Sequence, residues 1–159
     1  VFKIALVYDE PFWRADGLSG QSFAPGSAAN LTIDSCTPEA RPGVLTVITE
    51  GPTARRIGRL TAAERRAAVL DGVAERFGPQ AKSPVEYLEQ DWAAERYSGG
   101  GMISHTPPGV LTQFGPALRE PCGRIHWAGT ETATVMYGFI DGAVRSGERA
   151  AAEVLAAAG

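Results

Sequence analysis

The chain opens on an alternation of apolar side chains that is typical of a β-strand. The two alternating sets are Phe2, Ile4, Leu6 and Tyr8 on one face and Val1, Ala5 and Val7 on the other. Both faces are therefore apolar except at Lys3. The pattern predicts a central strand whose one charge must reach solvent along its aliphatic stem or find a partner.

Three further segments have strand patterns bounded by turn residues: Leu18 to Ala24, Asn30 to Asp34 and Val44 to Glu50. The last is the strongest because β-branched residues dominate it. The segment from Ser83 to Trp92 has mixed strand and helix character, and a short strand is predicted at Arg124 to Ala128.

Helical patterns occur in three places. Thr61 to Phe77 has a capping box at its start and Gly78-Pro79 at its end. A short helix is predicted after Pro107-Pro108-Gly109, and a long Ala-rich helix from Phe139 to Ala157. Strands and helices together predict an α/β or α+β fold with two parts that meet near Tyr97 to Gly101.

Composition narrows the class of protein. The 159 residues are 44% apolar and 21% charged, which are globular values, and the net charge of −3 gives no basic surface for nucleic acid. The two cysteines and two histidines have no familiar zinc spacing, so no metal site is expected. A reducing cytoplasm is the expected compartment. Because the sequence starts inside a strand without Met, we expect a piece of a longer polypeptide.

The segment from Ile125 to Ala151 has the most features that suit the binding of a ligand. It reads IHWAGTETATVMYGFIDGAVRSGERAA, a short apolar stretch, a turn of small residues and then a helix. Backbone N–H groups near Gly129 and Gly138 would suit an anionic or carbonyl-rich ligand. Its composition alone favours a packing helix that follows a polar loop.

This segment resembles the C-terminal FAD motif of the flavin monoamine oxidase family. That family includes monoamine, polyamine and putrescine oxidases, L-amino-acid oxidases and flavin histone demethylases. The segments EPFWR at 10–14, DWAAERYSGG at 91–100 and PPGVLTQFGPALREP from 107 resemble further family motifs in the same order. The resemblance spans the whole chain. It implies part of a mixed-sheet substrate domain in residues 1–97 and the closing elements of an FAD-binding domain in residues 98–159.

The resemblance assigns cofactor-binding roles to two places. Gly129, Thr130 and Glu131 match the turn whose backbone lies against the ribityl and pyrophosphate groups of FAD. Phe139 and Ile140 match the start of the helix whose N-terminus faces the flavin pyrimidine ring. The positive end of that helix would stabilise the negative charge of the reduced flavin by ~1 kcal/mol.

Two more positions match residues near the flavin ring. Lys3 resembles the catalytic lysine that holds a water near flavin N5, and Trp92 resembles the tryptophan that packs beside the isoalloxazine. Without the resemblance, a lysine that reaches solvent and a tryptophan in the core are ordinary interpretations.

The chain departs from the mammalian monoamine oxidases at two positions. Gly101 stands where those enzymes carry the cysteine that bonds to flavin, so non-covalent FAD is expected. Met102 replaces one tyrosine of their aromatic cage, and Phe139 occupies the second cage position. Both are expected to contact substrate, and their identity leaves the amine open. His105 could act as a general base, although a loop histidine beside Thr106-Pro107 is the plainer interpretation.

The resemblance implies oxidation of a small amine, with FAD as cofactor and reduction of O2 to hydrogen peroxide. The expected partners are the amine, O2 and the missing N-terminal nucleotide-binding portion, and a homodimer is a candidate assembly. The isolated chain is expected to be inactive. Two alternatives remain: an L-amino-acid oxidase, which would need an arginine for the substrate carboxylate, and a non-catalytic FAD-binding or interaction module.

Overall fold

The computed structural model describes residues 1–101 and 106–158. The chain divides into two compact units, the first spanning Val1–Gly101 and the second comprising the described residues that follow. In the described part of the chain, no helix has the length and apolar character that a membrane span requires.

The first unit contains a five-stranded sheet. Its strands are β1 (Phe2–Tyr8), β2 (Ser22–Phe23), β3 (Leu31–Asp34), β4 (Gly43–Thr49) and β5 (Glu86–Asp91), in the spatial order β2-β3-β4-β1-β5. The α+β class is confirmed, and so is the central position of β1. The described strands pair antiparallel throughout, whereas the resemblance implied a mixed sheet.

The register of β1 decides which side chains share a face. Lys3 lies opposite Ile48 of β4 and Gln90 of β5. The ladder continues one step beyond the strands, because the Trp92 amide donates to the Val1 carbonyl at 3.0 Å. Since side chains alternate along a strand, Trp92 lies on the same sheet face as Gln90 and Lys3.

The opposite face of the sheet carries the hydrophobic core. Buried residues of β1, Ile4 and Leu6 among them, form one cluster with Ile57 of α2 (Gly51–Ile57) and Val69 of α3 (Ala62–Phe77). Trp13 of α1 (Phe12–Ala15) is also fully buried in this cluster. Each fully buried aliphatic side chain contributes about 1.5–3 kcal/mol, so this cluster is the main source of stability for the first unit.

Helix α3 begins and ends where its sequence predicts. The Glu64 amide donates to Thr61 Oγ1 at 3.3 Å, and the Thr61 amide donates to Glu64 Oε2 at 2.9 Å. These are the two bonds of a capping box, which satisfy amides that the first helical turn leaves unpaired. Gly78 ends the helix with φ of +87°, a conformation that glycine adopts without strain.

Two predicted strands are corrected. The Leu18 to Ala24 prediction is wrong in extent, because only Ser22 and Phe23 pair with β3. The strand predicted at Arg124 to Ala128 is wrong: Cys122 and Ile125 form an isolated bridge. Gly123, with φ of +60°, turns the chain back on itself there and prevents an extended pairing.

The second unit is built around one long helix. It contains α4 (Val110–Phe114), short 3-10 helices at Pro116–Leu118 and Thr130–Thr132, and α5 (Ile140–Ala158). The long helix predicted from Phe139 is confirmed, with its start one residue later. Among its described residues the unit buries few side chains, namely Thr132, Ala133, Ser146 and Ala150. Large apolar residues such as Leu155 remain exposed.

Candidate functional site

A depression of about 300 Å³ opens on the sheet face opposite the core. Its lining includes Lys3, Ala5, Thr46, Leu88, Gln90 and Trp92. The antiparallel register thus places two predicted site residues, Lys3 and Trp92, in one concavity. The floor of the concavity is apolar on the side of Lys3 away from Trp92, because Ala5 and Leu88 are directly paired across β1 and β5 there.

Lys3 is exposed on this face. Among the residues that the structure describes, no carboxylate lies within ion-pair distance of its ammonium. The group therefore keeps its three donors for water or for a ligand. Trp92 is 38% exposed and presents an aromatic surface to the same concavity. A cation beside an aromatic wall can hold a polar group against an otherwise apolar molecule.

Gly101 lies directly against Trp92. A Cβ at this position would stand 2.8 Å from Val1 Cγ1 and 3.3 Å from Trp92 Cβ. A larger residue would therefore displace the start of β1 or the tryptophan. Met102 and His105, the adjacent sequence-based candidates, lie outside the described residues.

An ion pair beneath the depression anchors β5. Arg65 Nε of α3 donates to Glu89 Oε1 at 2.8 Å, and the Tyr87 hydroxyl donates to Glu89 Oε2 at 2.9 Å. Burial raises the pKa of Glu89, but the bonds from Arg65 and Tyr87 outweigh it, so the pKa lies below its usual range. Glu89 is therefore ionised and fixes the strand that leads to Trp92. The sequence did not indicate this pair.

The second unit contains the predicted cofactor-binding residues at 129–131 and 139–140. Gly129 has φ of +135°, and the 3-10 turn Thr130–Thr132 follows it. Thr130 Oγ1 accepts the Gly138 amide at 2.7 Å and donates to the Phe139 carbonyl at 3.1 Å. This hydroxyl links the loop to Gly138 and Phe139, the two residues that directly precede α5. A ligand that contacts both the loop and the N-terminus of α5 requires the two to keep a fixed relative position.

Side chains of α5 form hydrogen bonds with the backbone of the same loop and of the segment before it. Ser146 Oγ accepts the Gly129 amide at 2.9 Å, and Arg149 Nη2 donates to the Trp127 carbonyl at 2.7 Å. Sequence reasoning missed both anchors. Their spacing of three residues, which places both on one helix face, was the available signal.

The residues present fit the FAD that the sequence resemblance implies. Gly129 carries no side chain, so the backbone at the start of the loop can approach a phosphate or a ribityl chain closely. The N-terminus of α5 is open, since Ile140 is 86% exposed and Phe139 is 62% exposed. A helix of nineteen residues presents its positive end there.

The sequence is similar to those of known proteins. The sequence model described as flavin containing amine oxidoreductase matches residues 1–155. The chain is 44% identical over 153 residues to an L-amino acid dehydrogenase of Synechocystis sp., covering 96% of this chain and 32% of that protein. It is 41% identical over 162 residues to amine oxidase [flavin-containing] B of Canis lupus familiaris, covering 100% of this chain and 31% of that protein.

A solved structure is similar as well. Wild-type putrescine oxidase bound to putrescine superimposes with a TM-score of 0.88 and 36% identity, covering 98% of this chain and 34% of that one. The chain thus spans about a third of the length of these relatives.

Proposed function

The chain belongs to the family of flavin containing amine oxidoreductases, and from this membership we propose that the full-length protein is an FAD-dependent amine oxidase. A primary amine loses two electrons and two protons to become an imine, while O2 gains them to become hydrogen peroxide. Water then hydrolyses the imine to an aldehyde and ammonia. The observation that carries the proposal is the concavity that Lys3 and Trp92 share.

FAD supplies the two-electron chemistry when it is bound, and this chain supplies the surroundings of the reacting atoms. Lys3 would hold a water molecule near the flavin ring, with a donor that no carboxylate occupies among the described residues. Trp92 would form the flat wall beside the ring. The apolar floor favours the neutral amine, because an ammonium would lose hydration there without a partner.

The second unit would hold the rest of the cofactor. Gly129, Thr130 and Glu131 contribute the loop that meets the ribityl and pyrophosphate groups. Phe139 and Ile140 begin the helix that faces the pyrimidine ring, where the helix dipole favours negative charge. By the sequence resemblance, Phe139 and Met102 would contact the substrate, and the methionine would offer a flexible apolar contact in place of one aromatic ring of the cage.

An L-amino-acid substrate is the second candidate, favoured by the 44% identity to the L-amino acid dehydrogenase. Such a substrate needs a cation placed to hold its carboxylate. In the first unit, Arg14 and Arg65 bind Asp34 and Glu89. The carboxylate ligand would therefore come from another arginine or from a part of the protein that this chain does not contain.

Substrate oxidation by the FAD-loaded full-length protein tests the proposal. Peroxide release is measured with putrescine, spermidine, benzylamine and a set of L-amino acids under air. Peroxide with the amines supports an amine oxidase, and peroxide or dye reduction with amino acids alone supports the second candidate. A purified protein that binds no FAD would overturn both and leave a non-catalytic module.

The role of Lys3 has its own test. Lys3→Met should slow flavin reduction and reoxidation in stopped-flow experiments while FAD stays bound. Lys82→Met is the matched control, because Lys82 is the other lysine of the chain and pairs with Asp71 at 2.6 Å on the surface. Unchanged rates in Lys3→Met would remove the catalytic role of this residue.

A further inference from the structure

We propose that Arg149 and Ser146 of α5 are positioning residues that fix the Gly129–Thr132 loop for FAD. The inference rests on the proposed function, since it assumes that this loop meets the cofactor. It assigns to the middle of α5 a role in cofactor affinity, in addition to the role of the helix N-terminus.

Ser146 holds the first residue of the loop. Its side chain is 2% exposed, and its Oγ accepts the Gly129 amide at 2.9 Å. The same hydroxyl donates to the Ala143 carbonyl at 2.7 Å, within its own helix. Both hydrogen-bonding functions of the hydroxyl are thus used, and its orientation is set by the helix.

Arg149 holds both sides of the loop at once. Nη2 donates to the Trp127 carbonyl at 2.7 Å and to Thr132 Oγ1 at 3.0 Å. Thr132 Oγ1 in turn donates to the Gly129 carbonyl at 2.8 Å. One guanidinium nitrogen therefore links Trp127, which precedes the loop, to Thr132, the last residue of the 3-10 turn. Bonds from a charged donor are roughly twice as strong as neutral ones.

The guanidinium is itself oriented by a carboxylate. Glu153 Oε1 accepts Arg149 Nη1 at 2.6 Å, while Glu153 Oε2 lies 3.1 Å from His126 Nδ1. His126 immediately precedes Trp127. The chain of bonds through Glu153 and Arg149 therefore connects two adjacent residues of the same segment to α5. Because the guanidinium is planar and rigid, a bond at Nη1 also restricts the directions in which Nη2 can donate.

The arrangement bonds the inner backbone groups of the loop to α5 and leaves the outer side for a ligand. A loop that is already ordered binds a ligand without the entropic cost of fixing its backbone in the complex. The hydrogen bonds that fix the backbone of this loop come from α5, which lies on the side of the loop away from the proposed ligand.

The test measures FAD affinity of the full-length apoprotein by titration in four variants. Arg149→Met and Ser146→Ala should each raise the dissociation constant, by roughly tenfold or more for the arginine, as expected for a bond from a charged donor. Arg149→Lys should fall between Arg149→Met and the wild type, because an ammonium restores the charge but not the fork. Arg145→Met is the matched control, since Arg145 is exposed on the same helix and binds Asp141.

A second measurement separates positioning from general damage. Hydrogen exchange of the apoprotein should become faster at the Gly129–Thr132 amides in Arg149→Met and Ser146→Ala, with little change in the core amides of β1. An Arg149→Met protein that fails to fold leaves Ser146→Ala and Arg149→Lys to decide the matter by the same two measurements.

The outcomes are distinguishable. If the wild-type protein binds FAD and the Arg149 and Ser146 variants bind it equally well, the inference is overturned and the proposed function stands. If Arg145→Met loses as much affinity as Arg149→Met, a general charge effect replaces positioning. If the wild-type protein binds no FAD, the proposed function fails first and this inference fails with it.

Discussion

Arg65 of α3 and Glu89 of β5 form an ion pair whose side chains are 13% and 17% exposed. The pair joins the longest helix of the first unit to the edge strand that leads to Trp92. Arg65 also donates to the Leu60 carbonyl at 3.1 Å, so its position is fixed from the helix side as well. The edge of the sheet is therefore held by a side-chain bond in addition to its single backbone ladder.

Removal of one partner should destabilise the first unit strongly. Glu89→Ala leaves the Arg65 charge largely buried without its carboxylate, and loss of one member of such a pair costs about 3 kcal/mol. Asp71→Ala removes a carboxylate from an exposed pair with Lys82, for which about 0.5 kcal/mol is expected. The free energies of unfolding of both variants decide the point, and equal losses would contradict the role of the pair.

Acid should destabilise the protein partly through Asp34. Hydrogen bonds from Arg14 hold the pKa of this carboxyl well below its usual range, and those from Cys36 and Trp13 act in the same direction, against a smaller opposing effect of burial. Because the folded state lowers the pKa, the contribution is complete above the ordinary value of about 4 and is lost as the pH falls toward the folded-state pKa.

The expected result is a free energy of unfolding that decreases as the pH falls below about 4. Asp34→Asn should be less stable than the wild type at neutral pH and should show a smaller slope in that acidic range. Denaturant unfolding at a series of pH values measures both quantities. Parallel curves for the two proteins would show that Asp34 does not contribute to the acid sensitivity.

Two glycines of α5 should respond oppositely to alanine. At Gly142 a Cβ would overlap the Met136 carbonyl, with 2.9 Å to the carbonyl carbon and 3.1 Å to Ala133 Cβ. Backbone atoms cannot yield as a side chain can, so Gly142→Ala should separate α5 from the segment that it packs against. At Gly147 no atom lies within 4 Å of the added Cβ.

Gly147→Ala should therefore stabilise α5 by up to about 1 kcal/mol through helix propensity alone. Thermal unfolding and FAD titration of the full-length protein compare the two variants. We expect a lower melting temperature and weaker FAD binding for Gly142→Ala only. A Gly142→Ala protein as stable as Gly147→Ala would show that the close approach at Met136 is not required.

The flavin should leave the protein on acid precipitation. Gly101 provides no sulfur for a covalent bond, and a Cβ added there would stand 2.8 Å from Val1 Cγ1 and 3.3 Å from Trp92 Cβ, which leaves little space for a longer residue. We expect the yellow colour in the supernatant after the protein is denatured and pelleted, with a visible spectrum that matches free FAD. Colour retained in the washed pellet would reveal a covalent attachment elsewhere.

The sequence predicted the strands and helices whose formation depends on local patterns of residues. Alternation placed β1, β-branched residues placed β4, and the Thr61–Glu64 pair fixed the start of α3. Helix α2 was missed because seven residues are too few to show a periodicity. Its burial of Ala54 and Ile57 against the sheet is a tertiary effect.

For the candidate site, too, the sequence predicted the local features but not the contacts between distant segments. Strand parity placed Lys3 on the face opposite Phe2 and Ile4, but its meeting with Trp92 depends on the pairing of β1 with β5, which are about 85 residues apart in sequence. The anchors Ser146 and Arg149 depend on contacts between a helix and a loop that precedes it. Neither kind of contact can be read from local composition.

The place of Lys3 in an interior strand of the sheet limits how this residue can respond to a ligand. Its main chain is paired on both sides, with Ile48 and with Gln90. Local opening of such a strand requires the loss of two ladders, so backbone displacement at this position is costly. Any adjustment between bound states must come from rotation about the side-chain bonds of the lysine, which turn on a picosecond to nanosecond timescale when exposed. The ammonium can therefore follow its ligand rapidly while its point of attachment stays still.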